Sequence, residues 1–337
     1  MKKIAVVLFN LGGPDSQESV EGFLFNLFHD KAIIRLPEPL RFLVAKLISK
    51  RRAPIACAIY EKLGGSSPIL KNTQKQAAAL EKTLNDSSSD PLFKTFIAMR
   101  YWHPFITEAI QEVKKYGPDE IVLMPLYPQY STTTTQSSFE EWKKKAKKLG
   151  FEIPTQEICC YPQEKGFIRA LAKKIRDAYN EAKNYGFPRI LFSAHGLPEK
   201  IIKAGDPYQN QCELTAEALR KELALENIDA VLCFQSRVGR MKWIGPATDN
   251  EVRRAGKEKK PLVIVPIAFV SDNAETLVEI DHDYRLLALQ SGVSFFANVP
   301  TVGIAPDFID GLAQLIRDAR TQKKDCLCSR VARVCPP

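Results

Sequence analysis

The chain reads as an α/β protein made of two similar, doubly wound parallel-sheet lobes. Short apolar runs alternate with stretches of helical period along its 337 residues, the pattern of a parallel sheet covered by helices. The two halves echo one another in sequence. The length also exceeds what one hydrophobic core usually serves.

The expected strands are 4–10, 93–99, 120–125, 189–194, 230–235 and 261–269, each a short apolar run closed by polar, Gly or Pro residues. Between them, 105–115, 166–182, 214–225 and 308–319 carry apolar residues at 3.6-residue spacing and read as helices. The echo is most direct between Leu8-Phe9-Asn10-Leu11-Gly12-Gly13-Pro14-Asp15 and Leu191-Phe192-Ser193-Ala194-His195-Gly196-Leu197-Pro198-Glu199, about 183 positions apart. Residues 121–131 and 263–271 repeat it at an offset of about 141. The difference, about 42 residues, matches the length of segment 31–71, which therefore reads as an insertion in the first copy. The expected organisation is a first lobe over 1–158 with that insertion, a second lobe over 159–304, and a C-terminal helix with a cysteine-containing tail over 305–337.

Hydrophobic content of 45% and charged content of 26% are those of an ordinary globular protein. No apolar run reaches the roughly 18 residues of a membrane span. Met1-Lys2-Lys3 and the apolar run after it are too short for a signal peptide and lead into a turn, so a cytoplasmic protein is expected. Segment 31–71 holds nine Lys and Arg against Glu38 and Glu61, which is +7 of the chain's net +9. Charge so concentrated points to an anionic partner. No nucleic-acid recognition motif accompanies it, which sets nucleic acid aside. Residues 39–48 are apolar with basic punctuation and Ser49-Lys50-Arg51-Arg52 follows. This is either a helix packed on the core or a lip that meets an acidic, greasy ligand or the inner face of the cell membrane from the side.

In open parallel sheets ligands bind beyond the carboxyl ends of the strands. Here those ends carry aromatic rings, hydroxyls, Arg100, Arg237, His195 and Glu275, expected to converge on one rim. No Walker loop or Gly-x-Gly-x-x-Gly fingerprint is present, so no nucleotide is indicated. A lone histidine such as His195 is more often structural, but its place at a strand end before Gly196 suits proton transfer or metal ligation. Glu275, Glu279 and His282 follow at i, i+4 and i+7. On an α-helix they lie within roughly 60° of one another, with Asp283 at the margin. The stripe is either a solvated acidic face or a path for protons or a divalent cation.

An ordered series of motifs resembles the ferrochelatase family over almost the whole chain. It includes residues 8–14, Lys50-Arg51-Arg52-Ala53-Pro54, Gly64-Gly65-Ser66-Ser67-Pro68, Met99-Arg100-Tyr101 and Pro128-Gln129-Tyr130-Ser131. It continues through Ser193-Ala194-His195-Gly196, Gly205-Asp206-Pro207-Tyr208, Gln235-Ser236-Arg237, Trp243-Ile244-Gly245-Pro246 and Glu275-Thr276-Leu277-Val278-Glu279. The resemblance implies the two-lobed chelatase fold with a porphyrin cleft between the lobes. It implies insertion of Fe²⁺, as substrate, into protoporphyrin IX, the last step of haem synthesis, with no organic cofactor. His195 matches the family's active-site histidine and Glu275 its opposed glutamate, both candidates for catalysis and for holding the metal. Arg100, Tyr101 and Ser131 match pocket positions, Leu11 and Tyr130 fall in the same matched stretches, and Arg51 and Arg52 match basic residues at the mouth. Either His195 takes a pyrrole proton while Glu275 assists, or His195 ligates the iron.

Two departures stand out. The family often has a histidine two residues before the glutamate, where this chain has Asn273. Some members hold a 2Fe–2S cluster through one mid-chain and three C-terminal cysteines. Cys326, Cys328 and Cys335 supply three, but the mid-chain position is Thr132. A fourth ligand would have to be Cys57, Cys159, Cys160, Cys212 or Cys233. The alternatives are a tail with free thiols or a zinc clip. The rival functions are a chelatase for coproporphyrin or another tetrapyrrole, and a porphyrin carrier without catalysis. A homodimer is compatible with the sequence.

Overall fold

The structure, a computed structural model, describes residues 1–86, 91–237 and 241–321. It contains two compact units, Met1–Cys159 joined by residues 313–321, and Cys160–Leu312. The first runs β1 (Lys3–Asn10), α1 (Val20–Phe28), α2 (Glu38–Glu61), α3 (Ile69–Asn85), β2 (Leu92–Met99), α4 (Ile106–Tyr116), β3 (Glu120–Pro125), α5 (Thr135–Lys148) and β4 (Thr155–Glu157). The second runs α6 (Lys165–Ala182), β5 (Arg189–His195), α7 (Glu199–Lys203), α8 (Tyr208–Leu223), β6 (Asp229–Gln235), α9 (Thr248–Lys257), β7 (Leu262–Pro266), a π-helix (Glu275–Asp283), α10 (Tyr284–Ser291), β8 (Phe296–Asn298) and α11 (Pro306–Thr321). The last helix is shared, its later half belonging to the first unit.

Both sheets are parallel throughout and repeat one strand order, β2-β1-β3-β4 and β6-β5-β7-β8. The repeat in sequence is thus a repeat in topology. Three helices separate β1 from β2 but only two separate β5 from β6, and α2 lies within segment 31–71. Ile4 to Phe9 of β1 are fully buried because the strand has a neighbour on each side and helices over its faces, which demands an unbroken apolar run. Phe9 meets Phe139 and Trp142 edge-on, at 5.5 and 5.8 Å between ring centroids. In the second unit Leu191, Cys233, Val252, Ile264, Ile280 and Ala288 form the matching core.

Several expectations change. Strands β4 and β8 have three residues each, and Thr155-Gln156-Glu157 has no apolar run to announce it. Strand β7 stops at Pro266, well before residue 269. Helix α8 starts at Tyr208, six residues earlier than its apolar period indicates, where Asp206 Oδ1 accepts from the Tyr208 N–H at 3.0 Å. Helix α2 extends from Glu38 to Glu61 with Pro54 inside it. It packs through one side only, with Ala45, Ser49 and Tyr60 buried, while Leu40, Phe42, Leu43, Leu47 and Ile55 are exposed, Leu43 by 63% and Ile55 by 65%. Its Phe42 touches Phe25 of α1 at 5.4 Å between ring centroids. No helix among the described residues is long and apolar enough to cross a membrane.

Candidate active site

In the first unit the carboxyl ends of β1 and β2 are tied past the strands themselves. The Arg100 N–H donates to the Asn10 carbonyl and the Tyr101 N–H to the Leu11 carbonyl, both at 2.9 Å. Gly12 follows with φ +83°, and a Cβ there would come within 3.0 Å of the Trp102 nitrogen, so only glycine lets the two strand ends close. Leu11, Arg100 and Tyr101 are thereby adjacent. Tyr130 and Ser131 come from the loop after β3, where the Tyr130 hydroxyl donates to Gln136 at 3.1 Å and Ser131 Oγ lies 2.9 Å from Thr133 Oγ1.

Asp30 organises this cluster. One of its carboxylate oxygens, Oδ2, accepts from Arg100 Nη2 at 2.8 Å, the Tyr101 hydroxyl at 2.9 Å and Ser137 Oγ at 2.5 Å. Burial would raise the Asp30 pKa, but the Arg100 charge and these hydrogen bonds outweigh it and hold the group ionised. Arg100 also donates to Ser137 through Nε at 2.8 Å. Tyr101 is only 2% exposed, and burial together with the Asp30 charge pushes its phenol well above its usual value. Asp30 is missed by sequence reasoning because it sits between a helix end and a basic run, with no motif around it. Arg51 and Arg52 are exposed on α2, with Arg52 over the Phe28 ring at 5.9 Å.

In the second unit β5 ends on His195, in register with Gln235 at the end of β6. Gly196 donates its N–H to the Gln235 carbonyl at 2.8 Å, and a Cβ on it would stand 2.7 Å from that oxygen. This approach aims His195 at the segment after β7. His195 Nδ1 lies 2.8 Å from Glu275 Oε2, and the side chains keep 41% and 37% exposure, so the pair is recessed yet open to solvent. Burial alone would depress the His195 imidazolium, but the Glu275 charge and hydrogen bond, helped by Glu279, raise its pKa above the usual 6.5. Glu275 moves the opposite way. Burial raises its pKa, while His195, Ser236 and Gln235 outweigh this and take it below 4.5. Glu279 is pushed up by burial and by the Glu275 charge.

The expected one-sided stripe of Glu275, Glu279 and His282 does not survive intact. The segment is a π-helix, which turns less per residue than an α-helix. Position i+4 stays near the first residue, whereas i+7 rotates away from it. Glu275 and Glu279 share Ser236 as a partner, while His282 and Asp283 are exposed and pair with each other at 2.7 Å. Asn273 explains its own presence: Oδ1 accepts from the backbone N–H of Glu275 at 2.8 Å and Thr276 at 3.3 Å, closing the start of the π-helix. The residues expected on one rim thus form two sets, one at the carboxyl edge of each sheet.

Among the described residues no group of three His, Cys, Asp or Glu side chains is placed to hold a metal ion. Cys326, Cys328 and Cys335 lie outside the described residues. Of the suggested fourth ligands, Cys212 and Cys233 are buried, and burial pushes the Cys233 thiol up to about 12 and Cys212 higher still.

A family model described as Ferrochelatase matches residues 3–320. The chain is 51% identical over 316 residues to a protein of Pelagibacter ubique named Ferrochelatase, covering 94% of this chain and 91% of the relative. It is 52% identical over 318 residues to one of the same name from Caulobacter vibrioides, covering 94% and 90%. The fold also matches the solved structure of SirB from Bacillus subtilis with Fe³⁺, with a TM-score of 0.56 at 13% identity, covering 95% of this chain and 96% of that one.

Proposed function

The chain belongs to the ferrochelatase family, and from that premise we propose that it inserts ferrous iron into protoporphyrin IX to form protohaem. The observation that carries the reading is the His195–Glu275 contact of 2.8 Å at the carboxyl end of β5. Insertion exchanges two pyrrole N–H protons for one Fe²⁺, so the site needs a proton acceptor and a group that tolerates a cation beside it. In the resting pair the Glu275 carboxylate raises the proton affinity of His195. A divalent cation at Glu275 would weaken that attraction and leave the buried imidazole neutral; as the ion passes from Glu275 into the ring, the restored carboxylate charge lets His195 take one pyrrole proton and Glu279, whose proton affinity is raised, take the other. Glu279 offers a second carboxylate beside Glu275, held with it by Ser236. Leu11, Arg100, Tyr101, Tyr130 and Ser131 would line the porphyrin in the first unit, with Asp30 fixing the arginine and tyrosine.

The exposed Leu43, Leu47 and Ile55 share α2 with Lys46, Lys50, Arg51 and Arg52. That mixture of apolar and cationic side chains suits a peripheral contact with anionic lipid on the cytoplasmic side. A 2Fe–2S cluster on the tail would need Cys57, Cys159, Cys160, Cys212 or Cys233 as its fourth donor.

Anaerobic Fe²⁺ insertion followed by absorbance, with protoporphyrin IX and coproporphyrin III offered separately, tests the proposal. Turnover with protoporphyrin IX in excess is expected. Preference for coproporphyrin III would move the protein to that branch. Tight porphyrin binding with no insertion would make it a carrier.

A further inference from the structure

The turn after β6 carries a strained residue. Ser236 has φ +61°, in the left-handed region that a side chain with a Cβ seldom enters. Such strain persists where surrounding contacts over-determine it. Here the contacts are specific. The Ser236 N–H donates to Glu279 Oε1 at 2.9 Å, and its Oγ lies 2.5 Å from Glu279 Oε2 and 3.3 Å from Glu275 Oε2. One residue thus grips both oxygens of Glu279 and touches Glu275 with the same hydroxyl. The Tyr284 hydroxyl donates to Glu279 Oε1 at 3.0 Å from its own side, and Gln235 Nε2 reaches Glu275 only at 3.5 Å. Two carboxylates four residues apart on one helix repel each other. His195 and Gln235 on Glu275, and Tyr284 on Glu279, each serve one carboxylate, whereas the Ser236 hydroxyl reaches both.

We infer that Ser236 is a positioning residue for metal insertion, holding Glu275 against His195 and Glu279 beside it. The two carboxylates then present preset oxygens to an incoming divalent ion, with no side-chain search left to make on arrival. The inference rests on the function proposed above and adds to it a residue outside the His195–Glu275 pair. The strained turn is the means. It brings the N–H and the hydroxyl of one residue onto the same carboxylate.

The test compares wild type with Ser236→Gly, which removes the hydroxyl and suits φ +61°, and with Ser236→Ala, which removes it and keeps the Cβ. Steady-state anaerobic insertion of Fe²⁺ into protoporphyrin IX is measured while varying metal and porphyrin in turn. The expected result is a loss of about 10- to 100-fold in kcat/KM for the metal in both variants. The KM for porphyrin should stay within about twofold, and the Tm of the glycine variant should be at or above that of wild type. An unchanged metal kcat/KM in folded Ser236→Gly overturns the inference and leaves the function standing. Parallel loss of porphyrin KM and Tm in both variants also overturns it, in favour of a purely structural role. Absence of insertion by the wild type strikes the function and, with it, this inference.

Discussion

His195 and Glu275 move one another's proton affinity in opposite directions, and those shifts set the pH window in which the pair is charged. His195 is raised above 6.5, so what it adds to stability is complete below 6.5 and lost as pH rises through its folded value. Glu275 is lowered below 4.5, so its contribution is complete above 4.5 and lost as pH falls through its folded value. Glu275→Gln should therefore cost most stability between these two limits and progressively less outside them. In the same variant the burial of His195 is opposed only by Glu279, so its titration midpoint should fall. The chain has four histidines, few enough for imidazole NMR to follow each through a pH titration. An unchanged midpoint for His195 would mean that Glu275 does not control its proton. Both residues are legible in sequence because each ends or follows an apolar strand and carries a chemically versatile group. Asp30 and Ser236 are not, since their importance comes from which partners the fold delivers: Arg100, Tyr101 and Ser137 for the one, two glutamates for the other.

Among the elements, the central strands are the easiest to read and the edge strands the hardest. The buried run of β1 follows from its neighbours on both sides, whereas β4 and β8 are short edge strands whose side chains need not be apolar. The π-helix is illegible for a different reason. Its residues have an ordinary amphipathic pattern, and an α-helical reading puts His282 on the wrong side of the segment. Helix α2 poses the opposite case, because its apolar residues are plain in sequence and their exposure is not. Leu43 and Leu47 lie on the exposed surface beside Lys46 and Lys50. A double Leu43→Glu, Leu47→Glu variant should bind vesicles of mixed phosphatidylcholine and phosphatidylserine more weakly than wild type in co-sedimentation, with Tm within a few degrees. These side chains hold no core, so stability should hardly change. Equal sedimentation of the two proteins would remove the membrane reading.

Across the whole molecule, one topology appears twice with its polar residues at the carboxyl edge of each sheet, and the opposite edges are given over to stability. At the starts of β5 and β6, Arg189 is 4% exposed and pairs with Asp229 at 3.0 Å and Glu258 at 2.8 Å. At the start of β3, Glu120 receives Lys2 at 3.0 Å and Arg320 of α11 at 3.3 Å. Arg189, Asp229, Glu120 and Arg320 are each less than a fifth exposed, and pairs between such groups are costly to break singly, which suits a frame and not a site that exchanges ligands. The duplication is visible in sequence because the strand-end motifs recur, while the sharing of α11 between the two units has no local signal. The central claim, that this frame positions His195 and Glu275 for metal insertion, is tested most directly by the rate of anaerobic Fe²⁺ insertion into protoporphyrin IX by His195→Ala, with porphyrin binding followed in parallel by fluorescence. Wild type should turn over and the variant should lose about 10²- to 10⁴-fold in kcat with porphyrin affinity retained, the scale of a lost general base. A folded, porphyrin-binding variant that inserts iron at the wild-type rate would contradict the account.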